Sequence, residues 1–396
     1  MSNDSISVTT QKGWFSRLGS AFGGVLTGLA LVVASIILLS WNEGRSVQSI
    51  RTNNEGAKTV TSVSSERVDA ANNGKLIHLT AAAQADGARV DAALGIATEG
   101  LGLKRDVQYY QWVETSKSET RTKLGGGEET VTTYAYNLEW TQMAQDSSQF
   151  QQPAGHQNPP TNLEDATFVA DQARVGAFTL DRDSLQQVSI DTPLNMTAEQ
   201  AQAAQTALGK PVTVAENGLY VGSNPTAPQV GDMKVSYSFA PQGTTLSLIG
   251  AQTNGTLRPY PTKAGSPLLM VSNGTASAAE MFAEAKAANK VMTWILRGVG
   301  VAVMIAAFGM VLGPLGVLAD VLPLFGKIVR MGTGLVAGAL GISISLVVIA
   351  LSWLAFRPLL GIGLLVVAGG VIGFLIWRAK SAPAAAKAAE APTPAN

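Results

Sequence analysis

LGSAFGGVLTGLALVVASIILLSW, Leu18 to Trp41, runs 24 residues without one ionisable side chain. A helix needs about 20 such residues to cross the hydrocarbon core of a bilayer. Lipid offers the backbone no hydrogen-bond partners, so the stretch must be helical. Lys12 and Arg17 precede it, and Trp14 and Trp41 flank it at the level where indole meets headgroups. The run exceeds a signal-peptide core and no small-x-small cleavage site follows Trp41, so it reads as an uncleaved signal anchor. Gly19, Gly23, Gly24 and Gly28 give small-xxx-small spacings that predict close helix packing.

Working outward, three more uncharged runs lie near the other end, Gly298 to Ala319, Met331 to Phe356 and Pro358 to Trp377. The fold class predicted is an α+β membrane protein. It has four transmembrane helices, one N-terminal and three C-terminal, with a large β-rich extracytoplasmic domain inserted between the first and second. The expected boundaries are a polar, disordered cytoplasmic tail over 1–17, spans over 18–41, 294–319, 331–356 and 358–377, and the inserted domain over 42–293. A cytoplasmic or interfacial loop falls at 320–330, where Gly313-Pro314 just before it should end or kink the helix. A low-complexity tail over 378–396 is expected to be disordered.

The formal net charge is zero, yet the insertion holds 19 basic and 25 acidic residues and the remainder 9 and 3. A mildly acidic insertion argues against nucleic acid, which basic patches attract. Basic residues beside the spans suit anionic lipid heads. Lys/Arg counts in the short flanks favour the termini in the cytoplasm and 42–293 outside it. The absence of cysteine excludes disulfides, thiolate nucleophiles and cysteine zinc sites.

Within the insertion, VQYYQWVET (107–115) and TVTTYAYNLEW (130–140) bracket a polar, glycine-bearing stretch and read as a β-hairpin with a long mobile tip. Trp112 and Trp140 are candidates to pack on a core, and Glu114 and Glu139 to lie near one another, the pairing that glycoside hydrolysis uses. No cleft can be inferred, so solvated or Arg-paired carboxylates are the simpler reading. His78 and His156 have no partner at a metal-ligand spacing. Asn158-Pro159 fixes a turn in a Pro- and Gln-rich loop. Thr197 with Gln200 makes a capping box, and Gly209 and Pro211 stop the helix it opens. Trp41, Glu43 and Arg45 leave the first span together; Glu43 and Arg45, two apart, do not face each other on a helix. Helix is expected over 276–294, running into the second span without a break.

Trp41-Asn42-Glu43-Gly44-Arg45 directly after a first span resembles the LUMA (transmembrane protein 43) family. Tyr110 to Glu114, the Tyr134, Tyr136, Glu139, Trp140 set, Gly155-His156-Gln157-Asn158-Pro159, and Gly231-Asp232 with Val235 and Ser236 follow in the same order. The resemblance implies a non-enzymatic membrane-organising scaffold or self-associating interaction protein, with membrane lipids, further copies of itself and other membrane proteins as partners. It implies no cofactor and no catalytic or metal site. Trp41, Glu43, Arg45, Trp112, Glu114, Glu139, Trp140, His156, Asn158 and Pro159 are then structural or interaction residues. The Ala-, Gln- and Gly-rich composition looks bacterial, which places the chain in an inner membrane with a periplasmic insertion; a eukaryotic member would lie in the endoplasmic reticulum or inner nuclear membrane. Two other readings stay open: an oligomeric channel or transporter component, disfavoured for proton coupling because the apolar runs lack ionisable groups, and a membrane-anchored extracytoplasmic enzyme.

Overall fold

The computed structural model describes residues 4–161, 163–356 and 377. The fourth predicted helix, over 358–377, and the tail over 378–396 fall outside the described residues except for Trp377. In chain order the elements are β1 (Asp4–Lys12), α1 (Trp14–Thr59), β2 (Thr61–Ser62), β3 (Leu76–Gln84), β4 (Ala88–Asp91), β5 (Ile96–Glu99), β6 (Gly102–Thr122) and β7 (Glu128–Thr141). Then come β8 (Ala166–Val169), β9 (Gln172–Val175), β10 (Phe178–Asp181), α2 (Arg182–Leu185), β11 (Thr192–Pro193), α3 (Ala198–Leu208), β12 (Val212–Ala215), β13 (Gly218–Val221) and β14 (Met233–Ala240). The chain closes with β15 (Thr245–Thr253), β16 (Thr256–Arg258), β17 (Tyr260–Pro261), β18 (Pro267–Leu268), β19 (Met270–Asn273), α4 (Ala278–Ala319) and α5 (Pro323–Phe356).

Among the described residues three helices, α1, α4 and α5, are long and apolar enough to cross a membrane. Phe22, Leu26, Val33 and Ile37 on α1 and Leu335, Leu346 and Leu351 on α5 are exposed, as side chains facing lipid would be. The chain divides into two compact units, one of Met1–Gly19, Gln48–Asn289 and Val317–Lys327, the other of Ser20–Val47, Lys290–Gly316 and Ile328–Asn396.

The second unit is helical. A Cβ on Gly28 would stand 2.7 Å from the Ala307 carbonyl oxygen, and one on Gly300 2.5 Å from Leu39, so α1 and α4 approach closely at both. Among the described residues nothing comes within 4 Å of a Cβ built on Gly19, Gly23 or Gly24, so of the four predicted packing glycines Gly28 is the one with a described neighbour. Ser35 Oγ donates to the Gly300 carbonyl at 2.8 Å, and a Ser40–Ser352 pair at 3.1 Å joins α1 to α5.

Two helix ends differ from expectation. The first helix does not stop at Trp41 but continues to Thr59. Its added turns bury Asn42, Ser46, Thr52 and Asn53, polar residues that leave no apolar stripe for a sequence reader. α4 opens on a capping box, in which the Ser277 amide donates to Glu280 Oε2 at 2.8 Å and the Glu280 amide to Ser277 Oγ at 3.3 Å. It runs unbroken into the apolar segment, as predicted, but passes through Pro314 to Ala319. The break falls instead at Asp320 to Leu322, where Pro323 opens α5 in the first-turn position that needs no N–H.

The first unit is β-rich with two cores. β15, β16, β10, β9 and β3 pair in sequence, and β15 also pairs β3, so five strands close on themselves. Their interior holds Ile77, Leu79, Val175, Phe178, Leu180 and Leu248. The turn from β15 to β16 is Asn254-Gly255, with φ of 47° and 84°, the positive values a tight hairpin turn requires. The second sheet has the order β1-β7-β6-β14-β13-β12. Its core joins Val107, Tyr109, Leu219, Val235 and Tyr237 to Ala201 and Ala204 of α3. That helix has the expected Thr197–Gln200 capping box and ends at Gly209 with φ 62°.

Two corrections concern this second sheet. The hairpin is not a short one with a mobile tip: β6 and β7 pair from Tyr109↔Thr141 to Thr122↔Glu128, leaving only 123–127 as the turn. Hydroxyl pairs Ser118–Thr132 at 2.9 Å and Thr120–Thr130 at 3.0 Å bridge the rungs, a cross-strand contact that supports a sheet without apolar side chains. Nor is the N-terminal segment disordered or separate from the insertion: β1 pairs β7 in antiparallel register from Asp4↔Tyr136 to Lys12↔Glu128.

Gly56 marks where α1 meets the β-rich unit, since a Cβ there would stand 2.4 Å from Leu268 and 2.8 Å from Phe282. Gly56→Leu is expected to cost about 1–3 kcal/mol through overpacking, read as a lowered thermal midpoint in detergent.

Candidate functional site

Among the described residues, four polar clusters hold elements together through buried ionisable groups. The first lies in the helical unit, where the uncharged runs end. Glu43 of α1 accepts from Arg297 of α4 in two-pronged fashion, Nε at 2.6 Å and Nη2 at 2.8 Å, and from Trp353 Nε1 of α5 at 2.8 Å. The Glu43 side chain is 3% exposed and that of Arg297 14%, so the carboxylate is compensated by a fork-shaped charge pair rather than by water. Arg297 also lies against the rings of Trp294 and Trp353, at 4.9 and 5.7 Å. One turn away, Asn42 Nδ2 donates to the Thr293 carbonyl at 3.1 Å, and Arg45 Nη2 reaches Asn42 Oδ1 and Thr293 Oγ1, both at 3.2 Å. Glu43 and Arg45 therefore pair elsewhere, as their spacing predicted. Trp41 points outward and is exposed. Trp353 lies 310 residues from Glu43, and no sequence spacing connects the two.

The second cluster sits on the hairpin. Tyr136 Oη donates to Glu114 Oε2 at 2.8 Å, and its ring stacks on His156 at 3.9 Å between centroids. Trp112 meets the same imidazole edge-on at 4.8 Å. His156 Nε2 lies 2.9 Å from Asp4 Oδ2 and Nδ1 2.9 Å from the Gln152 carbonyl, so the loop carrying it clamps β1. Asn158 Oδ1 accepts from the Trp112 amide at 2.8 Å and its Nδ2 donates to the Trp112 carbonyl at 3.0 Å, standing in for a strand neighbour. Pro159 abuts Gly231, where a Cβ would stand 2.7 Å from it.

Thus Trp112, Glu114, His156 and Asn158 do converge, with Tyr136 and Asp4 added. Glu139 does not join them. It pairs with Gln111, one residue out of phase with Glu114, and so lies on the opposite face of the sheet. The predicted closeness of Glu114 and Glu139 is therefore wrong, because alternate residues of a strand point to opposite sides. Trp140, beside Tyr110 at 5.2 Å, is covered by Lys234 at 4.2 Å. Glu114 accepts from Tyr136 Oη and from the Gln151 amide; its acceptor positions serve the loop rather than an open cleft.

The third and fourth clusters were not anticipated. Asp91 accepts from Arg105 and from Tyr237 Oη in the second core, and Arg105 Nε donates to the Glu164 carbonyl at 2.9 Å. At the hairpin tip, Arg17 reaches Asp320 at 2.5 Å, Glu128 at 3.1 Å and the Gly126 carbonyl. Both Arg17 and Asp320 are buried. Among the described residues no three His, Asp or Glu side chains are grouped to hold a metal.

These arrangements suit joining helices and strands. The model of the family "Transmembrane protein 43" matches residues 109–358. The chain belongs to the transmembrane protein 43 family. Relatives named Transmembrane protein 43 are 31% identical over 362 residues in Rattus norvegicus, covering 88% of each chain, and 29% identical over 367 residues in Homo sapiens, covering 89% of this chain and 90% of the human one. The Transmembrane protein 43 homolog of Drosophila melanogaster is 28% identical over 350 residues, 86% of this chain and 90% of that one. No solved structure matches. With its apolar helices, this transmembrane protein 43 family member is an integral membrane protein.

The tyrosines of the β-rich unit of this family member predict alkaline sensitivity. Burial first, and then a neighbouring carboxylate, raise the hydroxyls of Tyr237 (Asp91), Tyr220 (Asp232) and Tyr109 (Asp165) above the usual tyrosine range. Below about pH 10 both folded and unfolded tyrosines are protonated and the full stability is present. Above it the unfolded chain ionises first, so stability falls by up to about 1.4 kcal/mol per pH unit per tyrosine. Thermal midpoints in detergent should be level from pH 8 to 9 and drop at pH 10 and 11; Tyr237→Phe should flatten the drop.

Proposed function

We infer that this protein works by interaction rather than catalysis, as a self-associating, membrane-organising scaffold. The observation that carries this reading is how the singled-out residues are used: Glu43, Arg45, Glu114, His156 and Asn158 are each spent on tying one segment of the chain to another. The apolar, exposed sides of α1, α4 and α5 supply the lipid contact. The β-rich part of 42–293 is the surface offered to further copies and to other membrane proteins, on the extracytoplasmic side that the basic flanks favour. An anchored enzyme finds less support, because Glu114 and Glu139 lie on opposite faces and the imidazole of His156 is held on both nitrogens. Cross-linking in native membranes followed by mass spectrometry tests the reading. Recurrent self-contacts and a small set of membrane-protein neighbours are expected; cross-links confined within single copies would oppose it.

A further inference from the structure

The turn of the long hairpin is built differently from its strands. β6 and β7 approach it through Ser and Thr rungs, yet the turn itself, Lys123-Leu124-Gly125-Gly126-Gly127, presents Leu124 with 84% of its surface exposed. The turn is docked on two other segments. The Gly125 amide donates to the Val321 carbonyl at 3.2 Å, and Gly126 lies so close to the Trp14 ring that a Cβ would stand 2.3 Å from it. Trp14 Nε1 in turn donates to the Val317 carbonyl at 2.9 Å. The start of α1, the hairpin tip and the connection from α4 to α5 therefore meet, all within the first unit. Each brings exposed apolar side chains: Phe15 at 81%, Leu124, and Leu322, Leu324 and Phe325 at 55%, 70% and 60%. A surface facing water rarely gathers large apolar groups in this way.

The backbone of the tip is sealed within the protein. The Lys123 amide donates to the Gly127 carbonyl at 2.7 Å and the Gly126 amide to the Lys123 carbonyl at 3.1 Å, while Arg17 occupies the Gly126 carbonyl. Gly125 and Gly126 hold φ of 84° and 78°, left-handed values that glycine adopts without steric cost. The charges beside the turn are paired too, Arg17 with Asp320 at 2.5 Å and with Glu128 at 3.1 Å. A turn bathed in water can leave its polar groups to the solvent. One that meets a bilayer must satisfy them internally.

α1 sets the level of this surface. Its uncharged run begins at Leu18, three residues and about 4.5 Å along the helix from Phe15. Trp14 is an indole at that boundary, where headgroups favour it. Lys123 and Lys327 are exposed beside Leu124 and Phe325, and exposed Lys12 ends β1. Over 12–18, 121–129 and 317–327 the chain carries five basic residues, Lys12, Arg17, Arg121, Lys123 and Lys327, and three acidic ones, Glu128, Glu129 and Asp320.

We propose that the hairpin tip is a membrane-contact element: Leu124, together with Phe15 and Phe325, sits in the headgroup layer of the bilayer that α1 enters, and the surrounding lysines favour anionic phospholipid. Apolar side chains ringed by lysines are suited to a shallow seat at that boundary, and each exposed lysine adds attraction to an anionic leaflet. The proposal deepens the lipid contact of the scaffold reading and rests on α1 entering the bilayer.

The cysteine-free chain permits a direct test. Leu124→Cys, carrying an environment-sensitive nitrobenzoxadiazole label, is reconstituted in phosphatidylcholine liposomes that contain phosphatidylglycerol. Glu216→Cys, in the exposed turn between β12 and β13, is the reference for water, and Phe22→Cys, exposed within the uncharged run, the reference for lipid. Emission at 124 should be blue-shifted from that at 216. It should be quenched by nitroxide-bearing lipid, more by a nitroxide near the headgroup than by one deep in the acyl chains. Nitroxide carried on phosphatidylglycerol should quench more than the same group on phosphatidylcholine, and Lys123→Gln with Lys327→Gln should abolish that preference. Emission and quenching at 124 equal to those at 216, with Phe22→Cys still quenched, would overturn the tip contact and leave the embedded helix. Quenching at neither 124 nor 22 would overturn both. Equal quenching by the two lipids would overturn the anionic preference.

Discussion

Glu43→Ala is expected to lower the stability of the helical unit by about 3–5 kcal/mol, because it strands a largely buried Arg297. The carboxylate accepts two bonds from Arg297 and one from Trp353 at 2.6–2.8 Å, so one truncation removes a contact of α1 with both α4 and α5. The loss comes chiefly from the unpaired guanidinium left behind rather than from any large net worth of the pair. Replacing both charges, Glu43→Leu with Arg297→Leu, should therefore restore most of the stability. Trp353→Phe removes one hydrogen bond to a charged group and should cost about 1.5–3 kcal/mol. Thermal midpoints in detergent give the comparison. A Glu43→Ala midpoint equal to that of the unmodified chain would mean that water, not Arg297, serves the carboxylate.

Asp320→Ala is the second large effect expected, at about 3 kcal/mol, the lower end of the range for breaking a buried pair. Arg17 keeps Glu128 at 3.1 Å and the Gly126 carbonyl, so the guanidinium is not wholly abandoned. What is lost is the tie between the turn after α4 and the tip of the hairpin. Amide exchange at 123–127 should rise sharply, and cleavage after Lys123 should quicken in limited proteolysis, while α3 and the five-stranded ring stay protected. The exchange arrangement, Arg17→Asp with Asp320→Arg, should recover part of the protection. Unchanged exchange at the tip in Asp320→Ala would remove this tie from the account.

Much of the architecture was legible because it rests on local signals. The uncharged runs marked three helices, and the Thr197–Gln200 pattern placed α3 to within a residue. What escaped has a common cause: polar residues doing structural jobs far from their sequence neighbours. The turns of α1 beyond Trp41 bury Asn, Ser and Thr, so apolar periodicity is silent there. β1 and the distal hairpin are built from Ser and Thr rungs that resemble a mobile loop until their partners, more than 100 residues apart for Ser7 and Thr133, are known. Glu43 and Arg297 lie 254 residues apart, and no spacing rule connects them. For the candidate site, the sequence offered Trp112, Glu114, His156 and Asn158 only as separate structural or interaction residues; their grouping comes from the structure, and strand parity separates Glu139 from them.

The account depends on α1 carrying its uncharged run through the bilayer, with its two ends in different aqueous spaces. Gln11→Cys and Lys58→Cys, placed singly in the cysteine-free chain, can be probed in sealed vesicles of known orientation with a membrane-impermeant maleimide. Labelling of Gln11→Cys from one face and Lys58→Cys only from the other is the predicted result; labelling of both from the same face would contradict it.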